Sequence, residues 1–328
     1  MKIGKVKNSE LEKYVFKNVK IKRPEVVLSG GTGIDTAVLD FENDLIVTST
    51  DPITGASKNI GSLAIHISVN DVCSQGADPV GVLLTVLLPP SAEIKDLEEI
   101  MIDCNRACEK LNLDIMGGHT EVTDAVNKII LSTTVIGRVD RNGRLSVKNV
   151  KDKDVIVVSK YIGVEGTSII YHDEPGCKDI LSSDDKEVVE KLQDEISVKD
   201  EAMLAKKHGV KHMHDITEGG IYGALWETSK ATGKGISVDK NKIPVLDATR
   251  KIAKHYDIDP YKLISSGSMI MIFDRSDFKE FKEAAKRKNL KVTEIGEMNN
   301  SGVAEVYDGD KIFTLSDPEP DELYKVIK

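Results

Sequence analysis

The chain has 328 residues, 45 of them Lys or Arg and 54 Asp or Glu, for a net charge of −9, and 40% of it is hydrophobic. This is the composition of a soluble globular protein, and the length predicts two domains of roughly 150 residues each. The acidic balance speaks against a duplex nucleic-acid partner, which demands clustered Lys and Arg.

The opening stretch "MKIGKVKNSELEKYVFKNVKIKRPE" is basic but has no apolar core, so it does not read as a signal peptide. No run of about 18 apolar residues offers a transmembrane helix, and no membrane association is expected. The four cysteines (Cys73, Cys104, Cys108 and Cys177) form neither a CxxC pair nor a disulfide framework. Cys104 and Cys108 sit four apart in a predicted helix and read as buried thiols. A reducing compartment, the cytoplasm, is the expectation.

In chain order, the first feature is "LSGGTGIDTAVLD", residues 28–40. A phosphate loop of the Walker type would run Gly-Lys-Ser/Thr into a helix. Here Ala37, Val38 and Leu39 read as a strand instead, and the loop fits a plain turn as well as a phosphate cradle. "DLIVTSTDP" predicts a strand stopped at Pro52. "NIGSLAIHISVNDVCSQGA" predicts a helix, because Ile60, Leu63, Ala64 and Ile67 recur at helical spacing. "VGVLLTVLLPP" predicts a strand buried on both faces. "SAEIKDLEEIMIDCNRACEKLN" predicts an amphipathic helix with Ser91 as N-cap and Ile94, Leu97, Met101, Cys104 and Cys108 as its inner stripe. "DIMGGHTEVTD" reads as a second glycine loop before the strand "KIILSTTVIGRV". The polar stretch "DRNGRLSVKNVKDKD" predicts the boundary between domains 1–150 and 151–328. The second half repeats the alternation, with loops "YIGVEG" and "MHDITEGGI" and strands "DVIVVSK", "SMIMIF" and "LKVTEIGEM". The fold class is therefore α/β in two domains.

Polar residues gather where elements end. Asp35 follows the glycine loop, Asp51 closes a strand, Asn70 and Asp71 lie late in a helix, and His119 and Glu121 fall in "GGHTEVT". Mg²⁺ takes oxygen ligands, typically one or two carboxylates together with phosphate oxygens, so separated aspartates beside glycine turns suit a Mg–nucleotide cleft. Each aspartate also fits a cap or a turn, and His119 fits an ordinary surface or core histidine. Asp71 resists the plain reading, because an Asn-Asp pair deep in an apolar helix costs propensity and demands a partner. His172, His208, His212 and His214 read as solvated or cleft-edge, with His214 beside Asp215 placed to contact a substrate.

The ordered set "GTGIDTAVLD", "TSTDPI", "NIGSLAIHISVNDVCSQGADPVG", "MGGHTEVT" and "MHDITEGGIYGALWE" resembles the aminoimidazole ribonucleotide synthetase-like superfamily. That superfamily includes selenophosphate synthetase, thiamine-monophosphate kinase and the dehydratase that helps build the cyanide ligands of nickel–iron hydrogenases. The likeness spans nearly the whole chain, "VNDVCSQGADP" is its most specific box, and the pattern looks nearest to the hydrogenase-maturation dehydratase branch. The resemblance implies an N-terminal α/β domain whose sheet pairs with that of a second subunit in a dimeric barrel, followed by a larger C-terminal α/β domain. It implies ATP in a cleft between the domains, with Mg²⁺ held by Asp35, Asp51 and Asp71. Gly30, Gly31 and Gly33 would approach the phosphates. Asn70, Gly117, Gly118, Thr120 and Glu121 would line the same cleft, and Asp215 and Thr217 would come from the second domain. On this likeness the opening loop is a cradle, and Asp35, Asp71 and His119 are the catalytic candidates. The shared chemistry is transfer of the γ-phosphoryl group to an oxygen or selenium nucleophile, which asks mainly for positioning and charge neutralisation.

Some positions depart from the pattern. The dehydratase carries its substrate on a C-terminal cysteine, whereas here the last cysteine is Cys177 and the chain runs on to "DELYKVIK", against the cyanide-forming role. Residues 1–40 contain no cysteine, against selenophosphate synthesis. His119 stands where relatives often have an acid. Glu218 stands where the dehydratase branch often has arginine, which argues for a different second substrate. The expectation is a homodimeric, ATP- and Mg²⁺-dependent enzyme acting on an unidentified small acceptor. The alternatives are a nucleotide-binding scaffold or maturation partner without chemistry and, more weakly, a thiamine-monophosphate kinase-like enzyme.

Overall fold

The computed structural model describes residues 8–10, 12, 26–28, 31–34, 36–40, 43–54 and 59–327. They fall in two compact units. The N-terminal unit takes the described residues of 22–29 and 35–144, and the C-terminal unit those of 1–21, 30–34 and 145–328.

The N-terminal unit is built on strands β1 (Val26–Leu28), β2 (Ala37–Asp40), β3 (Asp44–Ile53), β4 (Asp78–Leu88), β5 (Asp114–Val122) and β6 (Ile130–Asp140). They form one sheet in the order β1-β2-β3-β6-β4-β5, antiparallel except for the parallel β4–β5 pair. Helix α1 (Ile60–Ser74) packs on β3 and β6, and helix α2 (Ile94–Leu111) packs on α1. Held between sheet and helix, α1 buries residues around most of its circumference, which explains an apolar pattern wider than a single stripe.

Strand β4 corrects one expectation. It is not buried on both faces: Val82, Leu84 and Val86 are buried, while Val80 is 49% and Leu83 40% exposed. The strand lies in a mostly antiparallel sheet with one covered face, and its long apolar run is no longer diagnostic of double burial. Helix α2 also differs. Its start is set by a capping box between Glu93 and Asp96 rather than by Ser91. The first turn projects past the buried face, leaving Ile94 82% exposed, and the inner face is Ile100, Cys104, Ala107, Cys108 and Leu111. The four cysteines are buried and none is in a disulfide, and burial pushes the Cys104 thiol up to about 12 and the Cys108 thiol to about 11.

"DIMGGHTEV" is not a loop but β5 itself, paired with β4 from Gly81↔Asp114 to Leu88↔Val122 with one register shift that leaves Met116 out. The glycines permit that pairing. Gly118 has φ +149, and a Cβ there would lie 1.9 Å from the Leu84 carbonyl oxygen.

The C-terminal unit has a seven-stranded sheet. Its strands are β7 (Val155–Ser159), β8 (His212–Ile216), β9 (Gly235–Asp239), β10 (Ser268–Phe273), β11 (Val292–Asn299), β12 (Ala304–Asp308) and β13 (Lys311–Thr314). Their order is β13-β12-β9-β11-β7-β10-β8, antiparallel apart from β12–β9. Its helices are α3 (Val164–Asp173), α4 (Ser183–Lys191), α5 (Lys199–Lys207), α6 (Gly220–Thr232), α7 (Asp247–His255) and α8 (Arg275–Arg287). On one side Ile221, Ala224 and Leu225 of α6 join Ile236, Val238 and Ile270 in a core cluster. Elsewhere Phe273 of β10 stacks on Phe281 of α8 at 4.7 Å. Among the described residues no helix is long and apolar enough to cross a membrane.

Gly118→Ala is expected to destabilise the protein by about 3 kcal/mol, since the backbone conformation and the Leu84 carbonyl both oppose a side chain. Equilibrium urea unfolding measures it, and a change near zero would mean that β5 shifts freely.

Candidate functional site

In the N-terminal unit the site is built where α1 crosses β3. Asp71, near the end of α1, is 5% exposed, and the Ser49 hydroxyl of β3 donates to its Oδ2 at 2.5 Å. Asn70 beside it is fully buried, and Ser68 of the same helix donates to the Thr133 carbonyl of β6 at 3.3 Å. The partner that buried Asp71 demands is thus supplied by the sheet beneath. Strand alternation places Asp51 on the same face as Ser49, two residues further along β3. Asp51 and Asp71 offer the hard oxygen donors that Mg²⁺ prefers. Asp35 and Gly30 lie outside the described residues. Among the described residues no three His, Cys, Asp or Glu side chains gather as a metal-binding group.

The other N-terminal candidates lie apart from this pair. Gly117, Gly118, His119, Thr120 and Glu121 run along β5, at the end of the sheet order. Two strands separate β5 from β3, about 14 Å between strand axes at the usual spacing. His119 Nε2 is 3.5 Å from Glu121 Oε2, and both side chains are mostly exposed. Gly31 and Gly33 belong to the C-terminal unit, in a tight turn closed by reciprocal backbone hydrogen bonds of 2.9 Å between Gly31 and Ile34.

In the C-terminal unit, Asp215 is 2% exposed on β8, and Thr217 follows just past the strand. Glu218 comes next, then Gly219 (φ +85) and Gly220 (φ +61), which turn the chain into α6. The positive end of that helix already faces a carboxylate: Gly219 N–H donates to Asp321 Oδ2 at 2.7 Å, and Leu323 N–H donates to Oδ1 at 2.8 Å. Burial pushes the Asp321 carboxyl up to about 7, opposed by these N–H donors and reinforced by the nearby Glu218 charge. Glu165, in the first turn of α3, accepts from Ser266 N–H at 3.2 Å, and burial raises its carboxyl too. A cleft of about 740 Å³ borders this loop, with Gly219, Tyr222, Lys262, Pro318 and Tyr324 among its walls. Nothing in the residue pattern marks Asp321 or Glu165 as buried, because Asp321 lies in a polar stretch and Glu165 in the glycine loop "YIGVEG".

The histidines correct a further expectation. His212 and His214 are not solvated but 3% and 4% exposed within β8. His214 Nε2 lies 3.0 Å from Glu227 Oε2 of α6. Burial pushes the His212 imidazole down to about 3, assisted by His214, so it is neutral near pH 7.

A profile of the AIR synthase related protein N-terminal domain matches residues 33–139, and one of the C-terminal domain matches residues 151–309. The chain belongs to the AIR synthase related family. Among curated relatives, a Methanocaldococcus jannaschii protein provisionally named as a hydrogenase expression/formation protein is 28% identical over 97% of this chain and 96% of its own. The carbamoyl dehydratase HypE of Escherichia coli is 26% identical over 74% of this chain and 72% of its own. Among solved structures, HypE in a HypE–HypF complex superimposes with a TM-score of 0.76 at 22% identity, covering 94% of this chain and 99% of that one. HypE in complex with ATP gives 0.70 at 22% identity, covering 92% of each. The two-domain α/β fold is thus that of HypE.

Asp321 makes a signed prediction. Its folded value lies above the ordinary 3.8, so its contribution to stability is fully present below pH 3.8 and is lost as pH rises through about 7. Asp321→Asn is expected to remove that loss, so that wild type and variant diverge steadily in urea unfolding between pH 4 and about 7. Parallel stability profiles would assign Asp321 an ionised state throughout.

Proposed function

We propose that this chain is an ATP-dependent enzyme that transfers the γ-phosphoryl group of Mg–ATP to an amide- or carboxylate-type oxygen of a small acceptor. The observation that carries the reading is Asp71, a carboxylate buried on α1 and oriented by Ser49, with Asp51 on the same face of β3. A carboxylate is costly to hold in an apolar core, and its retention fits a role with a cation. Asp51 and Asp71 would hold a magnesium ion, and in this reading Asp35 joins them. The ion supplies neutralisation of phosphate charge.

The chain's own residues supply the remainder. Gly30 and Gly33 would offer backbone N–H groups to the phosphates, while Gly31 closes the turn through its bonds with Ile34. Asn70, Gly117, Gly118, Thr120 and Glu121 would line the nucleotide cleft, and Asp215 and Thr217 would contribute from the C-terminal unit. His119, exposed on β5, is free to turn its imidazole toward an acceptor. The cleft beside Gly219 has the size of a small-metabolite pocket. Asp321 and Glu218 next to it disfavour an anionic group at that spot, so the acceptor end meeting this loop is neutral or a hydrogen-bond donor.

In the same reading the protein is a homodimer. Val80, Leu83, Met116 and Val122, on β4 and β5, are 40–66% exposed and form an apolar edge of the sheet that a second copy would cover. Leu83→Glu is expected to convert dimer to monomer in sedimentation velocity, and an unchanged sedimentation coefficient would remove this face from the interface.

The nucleotide site is tested by thermal unfolding with ATP and Mg²⁺, with ATP and chelator, and with no ligand. At a hundred times the dissociation constant, ATP should stabilise the wild type by about 2.7 kcal/mol in a Mg²⁺-dependent way. Asp71→Asn should lose most of that shift while keeping its circular dichroism spectrum. An equal shift in the variant would sink the metal-ligand assignment. ADP release on screening amide and carboxylate acceptors separates the enzyme from a nucleotide-binding scaffold, which would bind and release nothing.

A further inference from the structure

Asn8 lies in a polar stretch of sequence yet is 4% exposed. It sits in the short helical turn Asn8–Glu10, within the C-terminal unit. Its Nδ2 donates to Glu227 Oε1 at 3.3 Å and to Asp317 Oδ1 at 3.1 Å, while Ser9 N–H donates to Asp317 Oδ2 at 3.1 Å. A primary amide has two N–H donors, and here each meets a different carboxylate. The other oxygen of Glu227 faces His214 Nε2.

The glycine loop is seated on the same helix. Gly33 (φ +70) approaches α6 so closely that a Cβ would lie 2.7 Å from the Glu227 carbonyl oxygen and 3.2 Å from Ala231 Cβ. Thr32 Oγ1 in this loop donates to Glu12 Oε1 at 3.1 Å, tying the loop to the stretch that carries Asn8. Glu227 therefore meets Asn8 with its side chain and Gly33 with its backbone.

We propose that Glu227 is a positioning residue that seats Asn8 and the loop 31–34 on α6 as one body, and thereby sets the affinity for nucleotide phosphates. The proposal rests on the reading of that loop as the phosphate cradle. The physical basis is charge geometry. Glu227 and Asp317 are both acceptors, and a neutral donor between them satisfies both. An acid at position 8 would bring three carboxylates together and unseat the turn.

The experiment is Asn8→Asp in the full chain, with the rescue pair Asn8→Asp/Glu227→Gln. In the rescue, the new amide can donate to the acid at position 8 while its carbonyl accepts from His214. Titration with Mg–ATP is expected to show a dissociation constant raised about tenfold in Asn8→Asp, the scale of one hydrogen bond to a charged group, and mostly restored in the pair. The melting temperature without nucleotide should fall in Asn8→Asp and recover in the pair, so affinity is read well below both melting temperatures. An affinity within about twofold of wild type, with or without a lower melting temperature, overturns the proposal. If the wild type itself binds no ATP, the nucleotide reading fails by itself. Amide exchange at 31–34 in the nucleotide-free proteins then tests the seat: faster exchange in Asn8→Asp supports it, and unchanged exchange overturns it.

Discussion

The N-terminal unit depends on holding a carboxylate inside a core. Asp71 is placed there by α1, which is clamped between the β3–β6 pair and α2. A carboxyl group at such depth persists only where hydrogen bonds and charge partners replace water, and the Ser49 hydroxyl is one of these. Much of the local architecture follows. The helix must lie flat on the sheet for Asp71 to reach β3, and Ser68 must be polar to meet the strand beneath. The apolar positions around them then close the layer.

The C-terminal unit solves a similar problem at the head of α6. Two successive left-handed glycines turn β8 into the helix, and the exposed N–H end is met by Asp321. Ordinarily such an end attracts an external anion. Here the Asp321 side chain already occupies that position, and the nearby Glu218 charge adds to the negative surroundings. This gives physical content to the departure at Glu218, which in sequence is only an unusual letter.

Legibility followed the range of the interactions. The periodicity of α1 was readable because its apolar positions repeat along the helix, and the demand of Asp71 for a partner was readable from propensity. Strand β4 misled because an apolar run does not say whether one face or two are covered. The glycines of β5 misled in the opposite way: they look like a turn, but they are strand residues that let the backbone pair closely with Leu84. His212 and His214 lie in a stretch crowded with lysines, yet both are buried in β8, where α6 packs and its Glu227 meets His214. Asn8 was hidden for the same reason, since its partners are Glu227 and Asp317, hundreds of residues away.

The seating of Asn8 and the loop 31–34 on α6 bears on modularity. The family's two domain profiles meet between residues 139 and 151, which suggests a natural point of severance. A fragment cut there would leave Glu227 and Asp317 without Asn8 and strip α6 of the turn at Gly33. Recombination between relatives at this seam would therefore mismatch an anchor and its socket unless Asn8 and the loop 31–34 travel with the C-terminal half. Inheritance in this architecture is interleaved, with the beginning of the chain belonging to its end.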